Sequence, residues 1–121
     1  MQIDTLLSRV RNTPESVEFD DVMAVIARHY DYVPTLFRNG RGDDVVVNPA
    51  GTNEGSCRLF AFARLHGLDK AQTLACFGRF YREDVRGHPR GTDHANIRTF
   101  MRHGPEHIWF ERPPLSPRAE V

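Results

Sequence analysis

Between Ser56 and His66 the chain reads Ser-Cys-Arg-Leu-Phe-Ala-Phe-Ala-Arg-Leu-His, with Gly67 directly behind it. Ser56 is a good N-cap and Gly67 a good stop, so the spacing predicts one helix across this stretch. Within it Phe60 and Ala63 lie one turn apart, as do Phe62 and Leu65. Apolar groups therefore point to more than one side, and such a helix needs cover round much of its circumference. It belongs at the centre of a domain, and the rest of the chain has to enclose it.

The flanking segments are of the right kind. Ile3, Leu6, Leu7 and Val10 form a stripe at helical spacing, with Asp4 early and Arg9 and Arg11 late, as the helix dipole prefers. Thr13-Pro14-Glu15 reads as the cap and first turn of a second helix running to about Tyr30, with Phe19, Val22, Met23 and Ile26 on one face. The pattern then changes to β-branched and aromatic residues. Tyr32 to Arg38 and Val45 to Val47 read as two strands joined by the turn Asn39-Gly40-Arg41-Gly42-Asp43-Asp44, where Asn-Gly is the strongest hairpin signal. Arg41-Gly42-Asp43 also spells a known integrin-binding tripeptide, but turns favour these residue types and three letters recur by chance.

Asp69 followed by Gln72 resembles a capping box for a fourth helix, with Leu74, Phe77 and Tyr81 inward and an end near Val85-Arg86-Gly87. Thr92 or Asp93 is expected to cap a fifth, which buries Ile97, Phe100 and Met101 and stops at Gly104. His107 to Glu111 reads as a last strand that joins the hairpin. The fold class is α+β, about five helices with a small antiparallel sheet made of the hairpin near 32–47 and a strand near 107–111. A single domain over 1–111 is expected, and Pro113, Pro114 and Pro117 predict a disordered tail over 112–121.

Composition removes several function classes. Sixteen basic residues balance sixteen acidic ones, so no whole-molecule field draws nucleic acid or an anionic membrane. No apolar run is long enough for a membrane helix. The two cysteines, Cys57 and Cys76, sit among apolar residues in predicted helices, the pattern of free thiols in a reducing compartment. The start, Met1-Gln2-Ile3-Asp4, lacks the basic and apolar regions of a Sec signal.

Three groups of residues can carry chemistry. Cys57, in the first turn of a helix, is a candidate nucleophile, with His94 as base and Asp93 orienting it, or with His88 or Asn96 in those places. A metal site drawn from His88, Asp93, His94, Glu83, Asp84, His103 and His107 lacks every spacing that marks one, so neither metal nor cofactor is expected. The third group is a polar seam of Asn48, Asn53, Arg82, Glu83, Asp84, His88, Asp93, His94, Asn96 and Arg98. Charged groups so close to an apolar core must pair, and pairing would fasten the loop 48–56 to the segment 82–98. A binding surface fits the same place, because loops on a rigid scaffold are where recognition concentrates.

Those residues also carry a family resemblance. Asn48, Ala50-Gly51, Asn53, Gly55-Ser56-Cys57, Phe60-Ala61-Phe62-Ala63, Thr73 to Gly78, Tyr81-Arg82-Glu83-Asp84-Val85, His88-Pro89, Gly91-Thr92-Asp93-His94 and Asn96-Ile97-Arg98 together resemble the HopJ type III effector family. The likeness extends back through Pro14 to Phe19, Met23 to Ile26, Tyr30-Asp31 and Asn39-Gly40. It implies a small α+β domain named for proteins that plant-pathogenic bacteria inject into host cells, and it implies no reaction. Two expectations of function follow from different classes. The first is a non-enzymatic binding protein with a host or bacterial protein as partner, in the bacterial cytoplasm or delivered by type III secretion. The second is a cysteine-dependent enzyme.

Overall fold

The computed structural model describes residues 1–119. Its elements run α1 (Ile3–Asn12), α2 (Phe19–His29), β1 (Tyr30–Tyr32), β2 (Phe37–Arg41), β3 (Asp44–Asn48), α3 (Glu54–Leu65), α4 (Lys70–Ala75), α5 (Ala95–His103), β4 (Ile108–Phe110) and β5 (Leu115–Pro117). Short 3-10 turns at Pro14–Ser16 and Pro105–His107 and a π-helical turn at Phe80–Val85 complete it. The class is α+β. No helix among the described residues is long and apolar enough to cross a membrane.

The apolar run does lie at the centre. Leu59, Phe60, Ala61, Phe62 and Ala63 are all buried. Phe60 is the hub, with its ring centroid 6.1 Å from Phe37 of β2, 5.6 Å from Phe77 and 5.0 Å from Phe100 of α5. Strands, the segment after α4 and α5 thus all meet on one ring, which is how the helix obtains its cover. Leu65 is the exception: at 53% exposed it lies outside the core.

The strands are arranged differently from the expectation. The hairpin turn is Gly42-Asp43 alone, with Gly42 at a φ of 60°, the glycine place of a tight two-residue turn. Asn39 and Gly40 lie inside β2, and Asn39 is fully buried. The strong Asn-Gly signal was overridden because Phe37, Asn39 and the core alternate along β2 at strand period. β2 is central in a three-stranded antiparallel sheet of order β3-β2-β4, as the last strand was expected to make it. Tyr30–Tyr32 is separate and pairs antiparallel with Leu115–Pro117.

That pairing corrects the expected disordered tail over its first residues, while residues 120 and 121 of that tail lie outside the described residues. Leu115 is buried against the core, and Arg118 N–H donates to His29 O at 2.9 Å while Val33 N–H donates to Pro114 O at 2.8 Å. These bonds fall on alternate residues, so Pro117 occupies a pair that exchanges none and its missing N–H leaves no acceptor stranded. Tyr30 faces Pro117 and Phe37 faces Phe110, which is one register carried through both pairings. Counting inward puts Pro34 opposite Pro113. By the same alternation that pair exchanges no bonds, so its prolines strand nothing; the ladder is nonetheless interrupted here, where Thr35 Oγ1 accepts from Arg112 N–H at 3.2 Å and Glu111 N–H donates to Leu36 O at 3.0 Å.

Helix boundaries moved where side chains had been assigned as caps. Thr13 makes no cap bond; Pro14–Ser16 is a single 3-10 turn, and α2 starts afresh at Phe19. α3 and α5 begin after Asn53 and His94, both in left-handed backbone, at φ 49° and 52°, and neither making a side-chain cap bond, instead of after Ser56 and after Thr92 or Asp93. The capping box of Asp69 and Gln72 is formed as expected. α4 ends early, because Gly78 takes a φ of 60° where a Cβ would meet Phe19 N at 2.8 Å. α5 stops at Gly104 and is tied down beyond its middle by Asp44, which takes Arg102 Nε at 2.7 Å and His103 Nε2 at 2.7 Å.

Candidate functional site

The loop after β3 meets the first turn of α5 at one junction, and the segment before α5 is fastened to the same helix at a second. The first junction is a cluster of four asparagines from β2, the end of β3, the cap of α3 and the first turn of α5. Asn39 Nδ2 donates to Asn96 O at 2.8 Å and Asn96 Oδ1 at 3.1 Å; Asn48 Nδ2 donates to the same Oδ1 at 3.2 Å. Asn96 Nδ2 returns a bond to Asn48 Oδ1 at 2.9 Å, and Asn53 Nδ2 donates to that oxygen at 2.7 Å. Asn39, Asn48 and Asn96 are buried, so each amide needs partners, and the cluster supplies them for nearly all. Asn39 Oδ1 alone has none. Asn39 was missed by sequence reasoning because it stood in the presumed turn; strand-period alternation after Phe37 was the available signal.

The second junction is charged. Arg98, 9% exposed, reaches back over its own helix start to Asp93 O and Asp93 Oδ1, each at 2.7 Å, His88 O at 2.9 Å and Asp84 O at 3.5 Å. One guanidinium therefore gathers the π-helical turn and the loop behind it. Asp93 in turn is held below the usual carboxylate range by the Arg98 hydrogen bond. His94 Nε2 bonds Asp84 Oδ2 at 3.0 Å and lies 3.8 Å from Asp93 Oδ2.

The other expected seam residues stand apart. Arg82 turns the opposite way, to Val17 O and Glu18 Oε1, both at 3.0 Å. Glu83 is exposed, and its side chain bonds nothing among the described residues; His88 contributes its carbonyl only. Cys57 is 1% exposed, and burial pushes its thiol up despite a bond to Tyr32. That corrects the expected lowering by the helix dipole: four residues into α3, desolvation outweighs it. His94 is engaged with Asp84 rather than with Cys57. Cys76 is likewise buried, its thiol raised to about 12. Among the described residues no group of three or more His, Cys, Asp and Glu side chains is placed to hold a metal ion.

An open cleft of about 370 Å³ lies between the starts of α3 and α5, beside the asparagine cluster. Phe19, Phe77 and Phe80 supply aromatic wall, Val46 and Ile97 aliphatic wall, and Asn53, Ser56, His94 and Asn96 the polar rim. The His94 ring leans on Phe80 at 5.4 Å. Both left-handed caps thus border this cleft, and left-handed non-glycine residues persist only where their surroundings fix them.

Comparison with known proteins places this architecture. The family model described as HopJ type III effector protein matches residues 3–115, nearly the whole chain. A solved structure described as "Crystal structure of unknown function protein VPA0580" is 48% identical, superposes with a TM-score of 0.92, and shares 98% of this chain and 95% of its own. No curated protein matches the chain.

Proposed function

Starting from a chain that belongs to the HopJ type III effector protein family, we propose that it is a binding domain without a reaction of its own, whose recognition site is the cleft between the starts of α3 and α5. One observation carries this reading. The charged groups beside the cleft are committed to one another, Arg98 to Asp93 and His94 to Asp84, while the cleft itself stays open and half-aromatic. Cys57, the thiol a cysteine-dependent reaction needs, is buried with its pKa raised, and His94 bonds Asp84 instead of it, so the two are not placed to act as nucleophile and base. Clefts of about 300 to 1,000 Å³ lined by apolar rings and a few fixed polar groups are the usual form of a small-molecule site.

The test is to map binding by amide NMR against a chemically varied set of small fragments. Shifts that gather on Asn53, Ser56, Phe80 and His94 support the reading, and shifts that gather elsewhere overturn it. The cysteine-enzyme alternative has its own check. Iodoacetamide at neutral pH is expected to leave Cys57 unlabelled in the folded protein and to label it in denaturant; rapid labelling of the folded protein would restore that alternative. The family description adds delivery into a host by type III secretion. A translocation reporter fused to the chain tests it, and a signal that persists in a secretion-deficient strain would speak against it. α1 buries Leu6, Leu7 and Val10, so passage through a narrow channel requires this helix to leave the core first.

A further inference from the structure

Resting on the reading of the cleft as a recognition site, we infer that its ligand is a small, flat, uncharged ring bearing a hydrogen-bonding edge. The flatness comes from the walls. Phe19 and Phe80 are half-buried rings set edge to face at 5.3 Å, and Phe77 lies nearly parallel to Phe19, its centroid 6.2 Å away. Aromatic faces of this kind are best covered by another ring, offset or on edge.

The position of Phe19 is also actively kept. Gly55, in the first turn of α3, leaves the space into which the ring projects, and a Cβ there would sit 2.8 Å from Phe19 Cζ. A glycine inside a helix is unfavourable relative to alanine. Here it keeps the ring against the start of α3, where it lines the cleft.

The charge of the ligand follows from the rim. No Lys, Arg, Asp or Glu lines the cleft. An anion would find no Lys or Arg, and the one imidazole, His94, is already taken by Asp84; a cation would find no carboxylate in the lining. The groups left over are of both hydrogen-bonding kinds. Ser56 Oγ makes no bond within the described residues; Asn53 gives its Nδ2 to Asn48 and keeps Oδ1; His94 gives Nε2 to Asp84 and keeps Nδ1. A ring with a carboxamide-like edge, donor and acceptor side by side, matches that set. A nucleic acid does not, since its phosphates have no basic partner along this wall.

Three neutral or charged probes of matched size test the inference by amide NMR: benzamide, cyclohexanecarboxamide and benzoate. Benzamide is expected to shift Ser56, Phe80 and His94 and to bind about fivefold tighter than cyclohexanecarboxamide, the factor one aromatic contact supplies. It is also expected to outcompete benzoate. Phe80→Leu, which keeps an apolar wall but removes the ring, should bring benzamide down to the level of the puckered probe. Ser56→Ala, which leaves the walls intact, should weaken benzamide and cyclohexanecarboxamide alike. If the puckered probe binds as well as benzamide, or benzoate binds better, the inference falls while the cleft remains a recognition site. If all three shift residues elsewhere, or none at millimolar concentration, the inference falls with it.

Discussion

The two junctions that hold the start of α5 are built from opposite materials. One is neutral, buried and made of carboxamides; the other is charged, partly wetted and centred on Arg98. Both tie the same short helix start to the body of the domain, so the contrast shows what each material contributes. Amides keep their hydrogen bonds at every pH and any salt concentration, but a lost partner leaves a buried group stranded. Charges reach further and gather several carbonyls at once, but water and salt compete for them and acid removes the anion. A helix start pinned by both keeps its position when either one is weakened.

Substitutions can pull that contrast apart. The largest effect is expected from Asn96→Ala, which removes the buried side-chain bonds to Asn39 Nδ2 and to both ends of the Asn48 amide, and leaves Asn39 Nδ2 only the backbone carbonyl of residue 96. A loss of about 3 kcal/mol in urea unfolding is the expected size, with no dependence on salt. Arg98→Met comes second, at about 1 to 2 kcal/mol, because Asp93 is 58% exposed and water replaces part of what is lost. Its deficit should shrink as salt rises, whereas that of Asn96→Ala should not; equal salt dependence would mean the two junctions do not differ as described.

The acid limb tests the charged material directly. Asp44, which holds the far end of α5, has its pKa lowered to about 2 by the hydrogen bonds from Arg102 and then His103. Asp93 is lowered in the same direction by Arg98. A folded-state value below the unfolded one means the stabilisation is full above the ordinary carboxylate range. It is lost as pH falls from there towards about 2. Unfolding of the wild type followed by circular dichroism should therefore show this loss over that window, and Asp44→Asn should flatten it. The smallest effects belong to residues that only border the charged junction. Glu83→Ala and His88→Ala should each stay within about 0.5 kcal/mol of wild type, since neither side chain bonds within it.

Much of the fold was legible because it rests on periodicity. The stripe of α1, the buried run of α3, the capping box at Asp69 and the stop at Gly104 are local patterns that tertiary structure did not need to change. The site was legible as a list and not as a geometry. Asn48, Asn53, Asn96, Asp84, Asp93, His94 and Arg98 do converge, but Arg82 turned to the Val17–Glu18 segment, and Glu83 and His88 kept their side chains outside. Direction of that kind depends on where a helix breaks, and the break at Gly78 is set by the close passage of the Phe19 backbone, a contact between distant parts of the chain. Asn39 and the left-handed caps were illegible for the same reason. Thr92 and Asp93 are better caps than His94 by local preference, and Ser56 is no worse than Asn53, so the residues that took the places were chosen by what stands opposite them.

The ribbon between 29–39 and 108–118 has a meaning in time as well as in space. Its strands lie on either side of all that lines the cleft except Phe19, which α2 brings in from before the ribbon, so most of the site is a loop closed by the ribbon at its base. β2 has β3 as an immediate neighbour, but its second partner is the late strand β4. Chain closure over such a span is slow compared with forming the helices inside it. During synthesis, α3 and α5 can form while β2 still has one bare edge. The cleft then acquires its fixed shape only when the far strand arrives. Because the ribbon is two separate pairings, that arrival divides into two zippers, and the half nearer the cleft, β2 with β4, can close while the other half is still open.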